Sequence, residues 1–328
     1  MPINWSPFVE FVRAHQRFLL TTHVRPDGDG LGSMNALALT LRQMGKGVQC
    51  VITSVMPPRY RFLDPGNLIE RFELPGERWR NADAAIVLDT GTWNQLDDFG
   101  PFLRELPVAR AVIDHHQTQD DLGAQRFVDT TAEANGRLVY EAIMALGGTL
   151  TAEVAEQLFV ALSMDTGWFR HSNTTAATFT LAEKLVAAGA RPEAIYDTLY
   201  EQNTLPRLKL IGLVLDRMQV IHSGQIAHTE LRRDDYTATG AVPQDSEDLV
   251  NYTRGIVGVE VGIFFMEQPR GGVKASFRSR ARVNVAKVAE QFGGGGHRLA
   301  SGATLNNTLE EARTLVLQAV TVALDTPG

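Results

Sequence analysis

The residues of this chain best suited to chemistry are carboxylates and imidazoles that follow short apolar runs. Phe18-Leu19-Leu20-Thr21-Thr22 leads straight into His23-Val24-Arg25-Pro26-Asp27-Gly28-Asp29. Ala84-Ala85-Ile86-Val87-Leu88 ends in Asp89, and Ala111-Val112-Ile113 ends in Asp114-His115-His116. Asp165 closes a longer apolar stretch in Met164-Asp165-Thr166-Gly167. A single Asp after a strand is most often a turn former or a helix cap. Capping does not account for carboxylates at successive strand ends together with two adjacent histidines. Gathered at one sheet edge, such groups repel one another unless cations neutralise them. Oxygen donors with one or two imidazoles and no thiolate suit Mn²⁺, Mg²⁺ or Fe²⁺ better than structural zinc. The donors are too many for one catalytic ion with open positions. Two ions ~3.5–4 Å apart, sharing a bridging carboxylate, match their number and would activate water and neutralise phosphate charge.

The elements that must position these groups alternate. Strand-like runs at 18–22, 48–53, 84–88 and 111–113, with a short one at 127–128, are interleaved with helical spacing at 31–44, 135–146, 151–163 and 175–188. That alternation predicts βαβ units and a mostly parallel sheet covered on both faces, whose ligands bind at the carboxyl ends of the strands. Gly28, Gly30 and Gly32 are read as a tight turn allowing close approach to metals, with Ser33 at the start of the following helix, free to cap it or meet an anion. Asn135 opens a helix whose N-terminus could point at an anion, but is read mainly as a cap. A polar helical stretch from Pro192 to about Asp216, interrupted by Pro206, reads as a connector. Beyond it, a hairpin around Ser223-Gly224, a helix over 246–252, strands at 259–266 and 273–277, a helix over 283–292, a strand at 303–305 and a helix over 309–323 predict a second, smaller α/β domain with a mixed sheet. The expected boundaries are 1–190, 191–215 for the connector and 216–328.

Composition narrows the function. The chain has 328 residues, 44% hydrophobic and 21% charged, which are ordinary globular values. No run approaches the ~18 apolar residues of a membrane helix. The single cysteine, Cys50, makes neither an internal disulfide nor a thiolate zinc site. With an N-terminal stretch unlike a signal peptide, this leads to an expectation of the reducing cytoplasm and no membrane. The net charge of −7 argues against coating long nucleic acid by electrostatics, and leaves short anionic substrates open. Residues 267–298 nonetheless hold seven basic residues against two acidic ones. Strand alternation is expected to put Arg278 and Arg280 on one face. The glycines 293–296 are read as a loop whose N–H groups face an anion, with His297 beside them. Arg278, the glycines and His297 are read as substrate-binding; Arg270, Arg282 and Lys287 as a solvated basic face. Arg25, Arg170 and His171 lie near the acidic motifs and are equally suited to phosphate or to solvent. Trp168 and Phe169 suit stacking on a base or core packing; His222 and His228 are read as structural.

His23-x-x-x-Asp27-x-Asp29-x-x-Gly32-Ser33, Asp89, Asp114-His115-His116 and Asp165, in that order, resemble the four motifs of the DHH phosphoesterase superfamily. Ser276-Phe277-Arg278-Ser279 and Gly294-Gly295-Gly296-His297-x-x-Ala300-Ser301-Gly302 are similar to the DHHA1 domain, departing from it at Phe277 and Ser301. The pairing resembles the nanoRNase and pAp phosphatase group, and covers almost the whole chain. The resemblance implies that His23 and Asp27 hold one divalent ion, Asp29 and His115 the other, that Asp89 bridges and that Asp165 completes a shell. It implies Asp114 as the group orienting an imidazole and His116 as the residue facing the scissile phosphate. Arg278, Gly294, Gly295, Gly296, His297 and Ser301 would bind substrate, Ser301 tuning preference.

The implied function is a two-metal phosphoesterase, most readily with Mn²⁺, that degrades oligoribonucleotides of 2–5 residues to mononucleotides and converts 3′-phosphoadenosine 5′-phosphate (pAp) to AMP. Metal chemistry in one domain and a phosphate grip in the other would select short substrates. The alternative is a phosphodiesterase for cyclic or linear dinucleotides such as c-di-AMP or pApA. A non-catalytic nucleotide sensor predicts damaged metal motifs, whereas these are intact. Short RNA or DNA, pAp and a second copy of the chain are the expected partners.

Overall fold

The computed structural model describes residues 3–269 and 271–326, and the backbone but not the side chain of His297. The chain divides into two compact units between Gln202 and Asn203, inside the segment read as a connector. Among the described residues, no helix is long and apolar enough to cross a membrane.

The N-terminal unit is built on strands β1 (Arg17–Thr21), β2 (Gly47–Ile52), β3 (Ile69–Arg71), β4 (Ala84–Leu88), β5 (Ala109–Asp114) and β6 (Gln125–Val128). They form a six-stranded sheet in the order β3-β2-β1-β4-β5-β6, and every pairing is parallel. Successive side chains point to opposite faces, so each strand serves two cores. Phe18, Leu20, Ile86, Leu88, Ala111 and Ile113 join one cluster, and Leu19, Ala85, Val87 and Val112 join another. The first face is covered by α1 (Ser6–Ala14), α2 (Gly28–Gln43), α4 (Asn135–Ala145), α5 (Ala152–Asp165) and α6 (Ala176–Ala187). The second carries α3 (Phe99–Glu105) with Phe72 and Trp79. This double burial is why the strands read as continuous apolar runs. The chain order reverses at β1, between β2 and β4, which opens a crevice at the carboxyl ends of β1, β4 and β5.

Two sequence expectations need correction here. Helix α2 begins at Gly28, not Leu31: the Asp27 carboxylate caps it, accepting from the Asp29 and Gly30 N–H groups. None of Gly28, Gly30 and Gly32 has a positive φ, so they form no special turn. A Cβ on Gly28 would lie 2.5 Å from Met164 Cγ, and one on Gly32 2.4 Å from the Gln157 carbonyl oxygen. Both glycines therefore let α2 lie closely against α5. Only Gly30 faces the site, where a Cβ would stand 3.1 Å from His23 Nε2.

After α6 come α7 (Pro192–Tyr196) and a π-helical turn, Asp197–Glu201. The C-terminal unit opens with α8 (Leu205–Asp216), whose first turn accommodates Pro206; the proline starts this helix rather than interrupting one. Its sheet runs β11-β12-β10-β9-β8-β7, with β7 (Gln219–Ile221), β8 (Ile226–Leu231), β9 (Val261–Glu267), β10 (Val273–Ser279), β11 (Gly295–His297) and β12 (Ala300–Leu305). Only β8 and β9 pair in parallel; the other pairings are antiparallel, so the sheet is mixed. Helices α11 (Val285–Glu290) and α12 (Leu309–Asp325) pack on the face formed by Val273, Ala275 and Phe277. Two short helices, α9 (Arg233–Thr239) and α10 (Val250–Arg254), complete the unit. The expected helix over 246–252 is realised only as α10, four residues later, after a 3₁₀ turn at Pro243–Ser246.

Candidate metal centre and phosphate-binding residues

The loops after β1, β4 and β5 and the last turn of α5 bring His23, Asp27, Asp29, Asp89, His115, His116 and Asp165 together. Three groups have ligand atoms within 4.8 Å of one another: His23-Asp27-Asp89, Asp29-His115-Asp165 and Asp89-His115-His116. Asp89 stands between the first two. Its Oδ2 lies 3.5 Å from His23 Nε2 and its Oδ1 lies 3.3 Å from His115 Nε2. His23 Nε2 is also 3.7 Å from Asp27, and His115 Nε2 is 3.7 Å from Asp29 and 3.4 Å from Asp165. These separations exceed ordinary hydrogen bonds and suit donors that share a central cation.

The backbone fixes which imidazole nitrogen faces inward. His23 Nδ1 pairs with the Val24 carbonyl at 3.0 Å, and His115 Nδ1 with the Ala132 carbonyl at 3.1 Å. A ring that donates from Nδ1 presents its Nε2 lone pair. Asp27 caps α2 while standing in the cluster, so the capping and ligand readings are not alternatives. Asp29 is fully buried and accepts from the N–H groups of Asn135 at 2.6 Å and Gly136 at 2.9 Å, and from the Ser33 hydroxyl at 3.2 Å. The N-terminus of α4 thus points at an anion of the protein itself. Ser33 sits a full turn into α2, so it neither caps that helix nor meets an outside anion. In the orientation that satisfies its neighbours, the Asn135 amide donates to the Ile113 carbonyl and accepts from the Asp89 N–H.

Electrostatics show what the cluster would accept. Burial drives the Asp29 carboxyl well above its usual range, and the Asp89 and Asp165 charges push it further. Burial and Asp89 together raise Asp165 to about 6. Burial pulls the imidazoles down, but Asp27 and Asp89 override it and hold His23 at about 11; Asp89, Asp29 and Asp165 hold His115 at about 10. With no ion present, the imidazoles must take up protons to offset the carboxylates. Asp89 Oδ1 is moreover buried without a hydrogen-bond partner, an arrangement that costs about 1–3 kcal/mol unless something else satisfies it. Divalent cations fit both requirements, and an oxygen-rich, thiolate-free donor set is one they favour.

Asp114, His116 and the remaining candidates fall into place around this cluster. Asp114 is fully buried, and its Oδ1 accepts from the His115 N–H at 2.8 Å, the His116 N–H at 3.2 Å and His116 Nδ1 at 2.8 Å. That contact with Asp114 raises the His116 pKa against the effect of burial. The His116 side chain is 54% exposed, with Nε2 left for an incoming group. Arg25 is exposed, with a positive φ of 53°. Arg170 Nε donates to the Gly167 carbonyl, and the His171 ring fills the space beside Gly167. Trp168 packs edge-on against Tyr196 and Tyr200, and Phe169 stacks on Phe179.

In the C-terminal unit, Arg278 lies on β10 between Gly262 of β9 and Ala300 of β12, on the face opposite the core. Half-burial lowers its pKa, and its Nη1 donates to its neighbour's carbonyl. Arg280 lies past the end of β10 and donates to the Val259 and Arg254 carbonyls, the latter at the end of α10. The glycine run is not a free loop. Gly293 and Gly294 donate to the Glu290 and Ala289 carbonyls, and Gly295–His297 form the edge strand β11 on β12. A Cβ on Gly294 would stand 2.2 Å from the Gly302 oxygen, and Gly296 has φ 139°, so these two positions need glycine. Ser301 is buried and its hydroxyl donates to the Val285 carbonyl at 2.7 Å, which joins β12 to α11. His222 pairs with Asp325, and His228 is buried on β8. Arg270 and the side chain of His297 lie outside the described residues. The sequence reading missed Gln119 and preferred a cap's role for Asn135, but Ala134 is the N-cap of α4 and Asn135 its first residue, with no side-chain cap bond. The Gln119 amide meets Asp114 and His116 within its own loop, whereas the Asn135 amide meets Ile113 and Asp89 from segments distant in sequence.

Comparison with known families completes this picture. The model of the DHH family, N-terminal domain, matches residues 17–162, and the model of the DHHA1 domain matches residues 225–324. The chain belongs to the DHH/DHHA1 family of phosphoesterases. Its relatives there include the bifunctional oligoribonuclease and PAP phosphatase NrnA of Thermus thermophilus, 32% identical over 94% of this chain and 90% of that protein. The protein of the same name from Bacillus subtilis is 28% identical over 94% of this chain and 96% of its own length. These matches put the chain in the nanoRNase group. The crystal structure of an exopolyphosphatase-related protein from Bacteroides fragilis superposes with a TM-score of 0.89, at 25% identity, covering 97% of this chain and 95% of that one. The manganese-bound RecJ of Thermus thermophilus shares the fold, with a TM-score of 0.54 at 16% identity, covering 100% of this chain and 56% of that one.

Proposed function

We propose that this protein is a two-metal phosphoesterase that degrades oligoribonucleotides of about two to five residues to mononucleotides and removes the 3′-phosphate of pAp to give AMP. The carrying observation is the position of Asp89, with one carboxylate oxygen toward each imidazole, on a chain whose full-length relatives are named for both activities. Mn²⁺ is the preferred ion, on the oxygen-rich donor set. His23, Asp27 and Asp89 would hold one ion, and Asp29, His115, Asp165 and the second Asp89 oxygen the other. Divalent ions held there would supply charge neutralisation at the phosphate and a lowered pKa for the attacking water.

The chain's own residues supply the rest. Asp114 fixes the His116 ring and favours its protonated form, so that Nε2–H can donate to the leaving oxygen as the phosphoester bond breaks. Water supplies the oxygen that forms the new bond; the products are a nucleotide and a shortened chain, or AMP and phosphate. Arg278 offers a bidentate guanidinium to a substrate phosphate, and the Gly294–His297 edge lets a backbone approach closely. Ser301 supports that edge through Val285. A buried lone cysteine is consistent with a cytoplasmic setting.

The test is hydrolysis of a labelled RNA length series, with pAp and c-di-AMP alongside, in Mn²⁺, Mg²⁺ and chelator, with Asp89→Asn as control. Fast cleavage of two- to five-mers that fades with length, and turnover of pAp, both abolished by the substitution, are expected. Efficient cleavage of long strands, or preference for c-di-AMP, would replace this reading; metal binding without cleavage of any substrate would make the protein a sensor.

A further inference from the structure

A side chain outside every motif holds the imidazole that faces the substrate. We propose that Gln119 is a positioning residue which acts through Asp114 on His116, and that Gly91 exists to admit it. The inference rests on the reading of His116 as proton donor, and extends it.

Three observations carry it. First, Gln119 Nε2 donates to Asp114 Oδ2 and lies 3.1 Å from the His116 carbonyl. The other Asp114 oxygen already accepts from both backbone N–H groups and the ring of the histidine pair. Gln119 thus engages the remaining oxygen, and with it both oxygens of this fully buried carboxylate are held. A carboxylate bound at one oxygen only can swing about its Cβ–Cγ bond; bound at both, it sets the ring plane of His116.

Second, the loop after β5 is tied to the loop after β4. Gly91 and Gln119 form a parallel bridge, the Asp120 N–H donates to the Gly91 carbonyl at 2.8 Å, and the Trp93 N–H donates to the Asp120 carboxylate at 2.9 Å. The position of Gln119 is therefore set by the loop that follows β4, in which Asp89 stands two residues before Gly91.

Third, a Cβ on Gly91 would sit 1.9 Å from Gln119 Oε1 and 2.6 Å from Nε2. Gly91 has no positive φ, so the backbone does not demand glycine; the Gln119 amide does. Any larger residue would push that amide off Asp114.

The test compares two substrates that differ in leaving group. A dinucleotide leaves as an alkoxide and needs a proton; the p-nitrophenyl ester of thymidine 5′-phosphate leaves as a stable phenolate and does not. His116→Ala is expected to lower kcat on the dinucleotide by about 10²–10⁴-fold and to spare the ester. Gln119→Ala should show the same split at about 10–100-fold, with KM little changed. Gly91→Ala should reproduce it, and Gln119→Glu, which keeps the shape but removes the donor, should be worse than Gln119→Ala. In the His116→Ala background, Gln119→Ala should cost nothing further, because residues acting as one unit are not additive. Circular dichroism and metal content check that each variant is folded and loaded. A split between the substrates in His116→Ala that Gln119→Ala does not share, or additivity with His116→Ala, would overturn the proposal. If His116→Ala spares neither substrate yet remains non-additive with Gln119→Ala, the proton-donor reading fails while the positioning role stands.

Discussion

Asp165 shows most directly how single residues here depend on an ion. Its carboxylate is held near Asp89 in a partly buried place, and that crowding lifts its pKa to about 6. Asp165→Asn removes a repelling charge, so in chelator the variant should melt above the wild-type protein. In saturating Mn²⁺ the order should reverse, because a ligand is gone. Ligand binding at 100 times Kd adds about 2.7 kcal/mol to stability, and the variant should lose much of that increment. Paired thermal scans with and without metal check both signs; a variant that melts lower in both conditions would show that the side chain serves packing instead. Asn135→Ala should weaken metal loading, measured by calorimetric titration, by about 10–100-fold. It removes the amide that bridges Ile113 to Asp89, while leaving the backbone donors to Asp29 in place. The seven clustered acids and imidazoles were legible in the sequence itself, through residue type and order. Gln119 and Asn135 were not legible in those roles, because an amide's function depends on which oxygen it faces, and neither periodicity nor spacing encodes that.

Elements determine how closely these groups can gather. Helices α2 and α5 approach through Gly28 and Gly32, and a Cβ on Gly32 would strike backbone rather than a flexible side chain. Gly32→Ala should therefore destabilise the N-terminal unit by about 1–3 kcal/mol, the usual cost of overpacking, and urea unfolding measures it. In the C-terminal unit, the segment after Arg278 is held by one carboxylate. Glu260 is buried, and its Oε1 accepts from the N–H groups of Ala281, Arg282 and Val283 and from the Ser279 hydroxyl. Burial raises its pKa, but these donors outweigh it and bring the carboxyl below its usual range. A depressed pKa gives stability that is complete above the unfolded value, near ~4.3, and is lost as pH falls through the folded one. Between pH ~5 and ~3 the wild type should lose stability faster than Glu260→Gln does; parallel slopes would remove Glu260 from the account. The strands and long helices were readable because apolar runs and helical spacing survive in sequence. The start of α2 was not, because three glycines in its first turns carry poor helical propensity. A cap and a neighbouring helix override that propensity. Helices α3 and α9 are short, and α1 was overlooked although Phe8, Phe11 and Val12 fall at helical spacing on one buried face.

At the scale of the whole molecule, the charge balance predicts behaviour in salt. A protein of net charge −7 cannot draw in RNA by its overall field. If two or three phosphates are gripped locally, the logarithm of kcat/KM should fall with the logarithm of salt at a slope of about −1.4 to −2.1, since single strands release ~0.7 counterion per contact. A slope several times steeper would mean a long electrostatic track. The parallel and mixed sheets of the two units were foreseeable from the order of strand-like and helix-like segments. The short edge strand Gly295–His297 was not foreseen, since a run of glycines gives no strand signal until β12 pairs with it.

Asp89 has one property that bears on how an inactive form of the protein should be made. Its backbone adopts φ 60°, a left-handed conformation that asparagine and aspartate tolerate better than alanine does. Alanine there would remove the carboxylate and also strain the peptide that follows β4, so lost activity would mix two causes. Asparagine keeps the backbone at ease and the volume unchanged while removing the charge between the two histidines. Asp89→Asn is therefore the variant in which to trap an uncleaved oligonucleotide for crystallography, its architecture intact and its chemistry stopped.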